Sequence, residues 1–295
     1  MRRWLFLVIL LVPILLFFRF RETTPGGRES SDLSPDSLRI LSLSPNLTEI
    51  VFRLGLGGRV VGVTDFCRYP PEAAEKPKVG ALLNPNLERM FALEPNLVLM
   101  LPAHGGLGEK LSSRGIRSLT VRNDTVEDVL DSIERIGGAT GRADRAAALV
   151  DSIRGRMEAV RSAPPSIRRR TMIVVSRAGR RIEDVFAVGP GTFLNELLFR
   201  AGGRNVFENA LARYPEVSVE EILHKNPEVI IELRPDGTDQ ETERSLARAA
   251  WATLPGLKAA EEGRVYVLVG DHLLVPGPRM ARIVEELGAA LREAG

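Results

Sequence analysis

One segment of this chain occurs twice, and that repeat constrains the fold more than any other feature. Residues 86–101 (NLERMFALEPNLVLML) and 218–233 (SVEEILHKNPEVIIEL) align without a gap. Glu88 falls on Glu220, Met90 on Ile222, Phe91 on Leu223 and Pro95 on Pro227, and the apolar run 97–99 falls on 229–231. Each copy reads as an amphipathic helix, a proline that cannot continue it, and an apolar run short enough to be a buried strand. A second pair, 48–55 (TEIVFRLG) and 195–202 (NELLFRAG), precedes the first in both halves, so the order of elements repeats too. Chance likeness between amphipathic helices is the plainer account, but length, proline and glutamate all coincide. The repeat predicts two lobes of similar topology.

The rest of the chain fills in those lobes. From Leu38 onward short apolar runs alternate with helical patterns, the signature of an α/β fold. Strands are expected at 39–43, 60–63, 97–101 and 116–121, then at 171–175, 229–233 and 265–269, with a closing helix over 279–292. Asn46 and Glu49 have the spacing of a capping box, and Gly55 closes the helix they would open. Between the halves, 144–162 carries Ala146, Leu149, Val150, Ile153, Met157 and Val160 on one stripe with no internal proline. Such a helix spans on the order of 30 Å, and Pro164 and Pro165 end it. The expected organisation is an N-terminal α/β lobe over 38–141, an interlobe helix over 142–165 and a C-terminal α/β lobe over 166–295. These are two Rossmann-like lobes on a single long rigid helix, with a ligand cleft between them.

Ahead of the lobes, Arg2 and Arg3 precede an unbroken apolar run over 4–18, the layout of an export signal. The run is shorter than the roughly 20 residues a spanning helix needs. No small-x-small cleavage site follows, since Arg19, Phe20 and Arg21 come next, and no lipid-attachment cysteine is present. Segment 1–18 is therefore either an atypical cleaved signal or an uncleaved membrane anchor. Both place the protein outside the cytoplasm, in a periplasmic or equivalent space. Residues 19–37, rich in Thr, Pro, Gly, Ser and charge, read as a flexible tether.

Chemistry is conspicuous mainly by what is missing. Forty basic residues face 38 acidic ones, and no basic run is interleaved with aromatics, so no nucleic-acid partner is expected. The sequence has no HExxH, GxSxG, CxxC or P-loop pattern, and Cys67 is its one cysteine. His104, His224 and His272 stand apart from one another; Asp271 beside His272 is the best metal candidate, with plain loop residues as the alternative. No metal and no cofactor of its own is expected. Two α/β lobes facing each other create a cleft at the carboxyl ends of their strands, where ligands bind. Tyr69, Phe186, Tyr214, Asp271 and His272 fall in loops or strand ends of that kind, and Tyr69 and Tyr214 lie off any periodic stripe in proline-flanked loops. Core filling is the competing role for each aromatic, and Trp251 is expected to pack under its helix.

The blocks RILSLSPNLTEIVFRLG, VVGVTDFCRYPPEA and NLERMFALEPNLVLM resemble the N-terminal lobe of class III, helical-backbone periplasmic binding proteins of ABC importers, the cobalamin binders in particular. FAVGPGTFLNELLFRAGGRNVF, YPEVSVEEILHKNPEVIIEL, RVYVL and GPRM continue the likeness over residues 38–292. The resemblance implies a receptor and not an enzyme: a monomer that holds a corrinoid between its lobes and docks on a permease dimer. By position it implies pocket roles for Tyr69, Phe186, Tyr214 and Asp271, and docking roles for Glu88 and Glu220 against permease arginines. The plainer account of those glutamates is two solvated acids at helix starts. Leu82 replaces a tryptophan of the cobalamin binders and 272–275 replace an aromatic and charged stretch, so iron-siderophore and haem receptors of the same fold are the rival ligand classes. A cofactor- or metal-processing enzyme scaffold and a ligand-free interaction module are the readings from other classes.

Overall fold

The computed structural model describes residues 37–160, 168–178, 181–237 and 239–295. Segment 1–18, the tether up to residue 36 and the Pro164 and Pro165 stop lie outside the described residues. The first lobe runs β1 (Ile40–Ser42), α1 (Pro45–Arg53), β2 (Val60–Val63), α2 (Pro71–Ala74), α3 (Leu87–Ala92), β3 (Leu97–Met100), α4 (Leu107–Ser112), β4 (Arg117–Thr120) and α5 (Val126–Ala139). Its four strands form one sheet in the order β2-β1-β3-β4, parallel throughout. Strands β1 and β3 are buried along their whole length, as expected of a parallel sheet covered on both faces by helices.

Helix α6 (Ala143–Ala159) joins the lobes. Its seventeen residues measure about 25 Å, somewhat less than the stripe suggested. Ala146, Leu149, Val150, Ile153 and Met157 are its buried face, the stripe read from the sequence except for Val160, which lies past the helix end as its C-cap and is half-buried. It crosses α5 closely because Gly137 has no side chain: a Cβ there would lie 2.3 Å from that of Ala146.

The second lobe continues β5 (Arg169–Ala178), β6 (Glu183–Ala187), α7 (Phe193–Arg200), β7 (Gly203–Asn205), β8 (Glu216–Val217), α8 (Val219–Lys225), β9 (Val229–Arg234), α9 (Gln240–Trp251), α10 (Lys258–Glu261), β10 (Val265–Val269) and α11 (Met280–Glu293). Its sheet has the order β10-β9-β5-β6-β8, with β7 alongside the start of β5. Strands β10, β9 and β5 are parallel, whereas β6 and β8 run antiparallel. The lobes are thus less alike than the repeat implied. The connection from β5 to β6 is too short for a crossover, so these strands can only form a hairpin. Arg156 on α6 makes a double hydrogen bond to Glu285 on α11 at 2.8 and 2.9 Å, tying the connecting helix to the closing one.

The repeated segment itself holds at the level of backbone chemistry. Asn86 and Ser218, aligned in the repeat, are both N-caps, accepting from the amides of Arg89 and Glu221 at 2.9 and 3.1 Å. Met90 and Ile222 are both fully buried. Glu94 and Asn226, each just before the shared proline, both adopt positive φ, 44° and 41°; the following proline disfavours the right-handed helical region there. Glu88 and Glu220 both sit exposed in first helical turns.

Two cores result, one under each sheet. Leu41, Leu43, Met90, Val98 and Met100 belong to the first, and Met172, Phe207, Ile230, Trp251 and Val267 to the second. Trp251 is fully buried at the end of α9, and its indole N–H donates to Glu232 at 2.6 Å. Glu232, itself fully buried, also accepts from Arg177 at 2.6 Å and from Arg234. Among the described residues no helix is long and apolar enough to cross a membrane.

Candidate functional site

The carboxyl ends of β1 and β2 in the first lobe meet the carboxyl ends of β9 and β10 in the second around a cavity of about 360 Å³. Pro45, Phe66 and Tyr69 line it from one lobe, and Pro235, Asp271 and Leu274 from the other. A roomier hollow of about 580 Å³, lined by Asn195, Phe199 and Arg204 among others, lies on the second lobe alone. The smaller one is the interlobe cleft that the sequence predicted.

Its first wall grows from the β1–α1 junction. Ser44 is the N-cap of α1 and Pro45 its first residue, where a missing N–H costs nothing. The capping box assigned to Asn46 and Glu49 is therefore corrected: both lie inside the helix and are buried, 2% exposed. The helix starts earlier because proline at the first helical position fixes φ for it. Thr48 donates to Ser42 at 2.8 Å, and Cys67, behind the loop that carries Tyr69, is held between Thr48 and Thr64 at 3.2 Å from each.

A carboxylate on a buried helix requires a cation, and Arg279 supplies it from the other lobe. Its guanidinium forks onto Glu49, Nε to Oε2 at 3.0 Å and Nη2 to Oε1 at 2.6 Å. The same group donates to Asp271 at 2.6 and 3.3 Å and lies 3.8 Å over the Tyr69 ring. Burial pushes the Glu49 carboxyl above its ordinary value, against the opposing pull of Arg279. For Arg279, burial works to lower the pKa, but the hydrogen bonds to Glu49 and Asp271 outweigh it and the value is raised. The pair spans the floor of the cleft. A looser pair, Arg68 with Asp236 at 3.7 Å, spans its mouth.

The expected site residues separate into groups. Tyr69 and Asp271 line the cleft. His272 does not: it is 1% exposed, and its Nε2 lies 3.0 Å from Glu286 on α11. Buried against α11 while Asp271 lines the cavity, His272 is corrected from a ligand contact to a buried support of the loop. Glu286 is held below the usual carboxylate range because hydrogen bonds from His272 and Arg282 outweigh its burial. Among the described residues no group of His, Cys, Asp and Glu is arranged to hold a metal ion. Phe186 on β6 and Tyr214 before β8 are near neighbours, joined through the amide of Ala187 donating to Pro215 at 2.9 Å. Neither lines the 360 Å³ cavity. They belong to a second meeting of the lobes, where Arg213 pairs with Asp124 and the amide of Val126 donates to Glu196 at 3.1 Å. Burial pushes the Tyr214 hydroxyl up. Glu88 and Glu220 stand outside the cleft.

Comparison with known proteins agrees with this architecture. The family model described as periplasmic binding protein matches residues 40–271. The chain belongs to the periplasmic binding protein family. Within it, the vitamin B12-binding protein of Vibrio cholerae is 28% identical over 263 residues, covering 87% of this chain and 90% of that protein. An uncharacterized ABC transporter substrate-binding lipoprotein of Bacillus subtilis is 31% identical, covering 90% and 83%. A periplasmic heme binding protein of Pseudomonas aeruginosa has a solved structure that matches with a TM-score of 0.70 at 26% identity, covering 86% and 92%. For a periplasmic binding protein with this cleft, sequence reasoning missed Glu49 and Arg279. No local signal marked them, because α1 carries Asn46, Thr48 and Arg53 as well as Glu49 and its burial on those faces comes from the rest of the fold.

Proposed function

We propose that this periplasmic binding protein receives a corrinoid in the cleft between its lobes and delivers it to an ABC importer. The observation that carries this reading is the coincidence of an interlobe cleft, walled by Tyr69 and Asp271, with near full-length similarity to a vitamin B12-binding protein. An aromatic face suits a large flat ligand, since stacking and burial of its apolar surface supply affinity that a few polar contacts then orient. Phe186 and Tyr214 extend that wall on the second lobe when the ligand spans both meeting points. Glu88 and Glu220, one exposed acid per lobe, are the docking points for a two-fold permease. Segment 4–18 holds the receptor at the membrane unless it is removed as a signal, and ligand transfer requires no chemistry on the receptor.

Haem is the second reading, favoured by the match to the Pseudomonas structure, with the Tyr69 hydroxyl as the group to meet its iron. Titration of the full chain with cyanocobalamin, dicyanocobinamide and haem separates the two. Micromolar or tighter binding of the corrinoids is expected, and tight haem binding with no corrinoid binding would overturn the assignment.

A further inference from the structure

The polar groups around the cleft are unequal in sign and in availability. Three acids, Glu49, Asp236 and Asp271, and two arginines, Arg68 and Arg279, line the cavity. Arg279 has five N–H groups, and its Nε, Nη1 and Nη2 are all engaged by Glu49 and Asp271 while Tyr69 covers one face of its plane. At the floor of the cleft a carboxylate arriving on a ligand meets no open fork on Arg279 and must displace a carboxylate already bound there, whereas Arg68, exposed and 3.7 Å from Asp236, stands apart at the mouth. An uncharged group that donates, such as a primary amide, meets the outward oxygens of Asp271, which is half-exposed.

We propose that the Glu49, Arg279 and Asp271 cluster makes the cleft selective for ligands with an uncharged, hydrogen-bond-donating periphery over the same framework bearing carboxylates. Glu49 is the positioning residue: almost fully buried, it acts by occupying Arg279. The inference rests on the reading of the cleft as the ligand site and deepens it, since amide side arms distinguish a corrinoid from a propionate-bearing haem.

Two corrinoids that differ only at their periphery test it. Dicyanocobinamide carries amides where dicyanocobyrinic acid carries carboxylates. The full chain should bind the amide form at least about tenfold more tightly, and Glu49→Gln should narrow that ratio roughly tenfold, the scale of one charge a few ångströms away in a partly wet site. Asp271→Asn, at a half-exposed position where folding is not at stake, should narrow it likewise. A ratio unchanged in both variants would overturn the selectivity. A second arm needs no assumption about the ligand: acetate and acetamide are titrated while the Arg279 Nε–H resonance is followed. Acetate should move that resonance in Glu49→Gln at concentrations that leave the wild type unmoved, and an equal response in both refutes the proposal. Failure of both corrinoids to bind the wild type, alongside haem binding, rejects the corrinoid reading, and the acetate comparison still decides the charge question.

Discussion

Replacing Arg279 by alanine isolates the tie between the lobes. The substitution removes the double hydrogen bond to a carboxylate that is 2% exposed. Breaking a buried pair in this way costs about 3–5 kcal/mol. The leg to half-exposed Asp271 adds at most about 1 kcal/mol, and the contact over Tyr69 about 0.5–1 kcal/mol. Glu49 has an escape, however, because it can take up a proton. If it folds neutral and unfolds with its ordinary value of 4.5, the charge part of the loss is limited to about 1.4 kcal/mol for each pH unit above that value. The limit is about 3.4 kcal/mol at pH 7 and about 1.4 kcal/mol at pH 5.5. The sign is that of any group whose folded pKa is raised: stability is fully present below the unfolded value and is lost as pH rises through the folded one. Urea unfolding followed by circular dichroism at both pH values, on wild type and variant, measures it. A loss below 1 kcal/mol at pH 7 would refute the buried-pair reasoning, and a loss that does not shrink at pH 5.5 would refute the protonation route.

Two further outcomes are expected. Glu232→Gln keeps the shape of the side chain but takes the carboxylate from Arg177, Arg234 and the Trp251 indole, so the second lobe should lose about 3–5 kcal/mol; an unfolding midpoint equal to wild type would show that the amide satisfies the cluster. Glu88→Arg with Glu220→Arg should abolish co-purification with the permease and uptake while leaving ligand affinity and the unfolding curve unchanged, because both side chains are solvent-facing; normal uptake by the double variant removes the docking role, and lost ligand binding moves the glutamates into the cleft.

Legibility from sequence followed the range of the interactions. Helix stripes and proline stops depend on neighbours a few residues away, so the α6 stripe and the repeated α3–β3 and α8–β9 units could be read directly. The register of Asn46 and Glu49 was misread, although the proline at position 45 is itself a helix-start signal; what no local pattern showed was that both residues are buried. Tyr69 and Asp271 were legible as residues of strand-end loops. The inward turn of His272 was not, since it depends on Glu286 of α11 packing beneath that loop.

By itself the sequence determined an α/β chain of two related lobes on a connecting helix, since local periodicity and an ungapped repeat suffice for that. Tertiary structure alone decided that β6 and β8 make the second sheet mixed, that Phe186 and Tyr214 sit apart from Tyr69, and that Glu49 meets Arg279 across the cleft. The physical reason is the same in each case. A buried charge is tolerable only beside its counter-ion, and the partner of Glu49 stands in the other lobe, where no local pattern in the chain reaches.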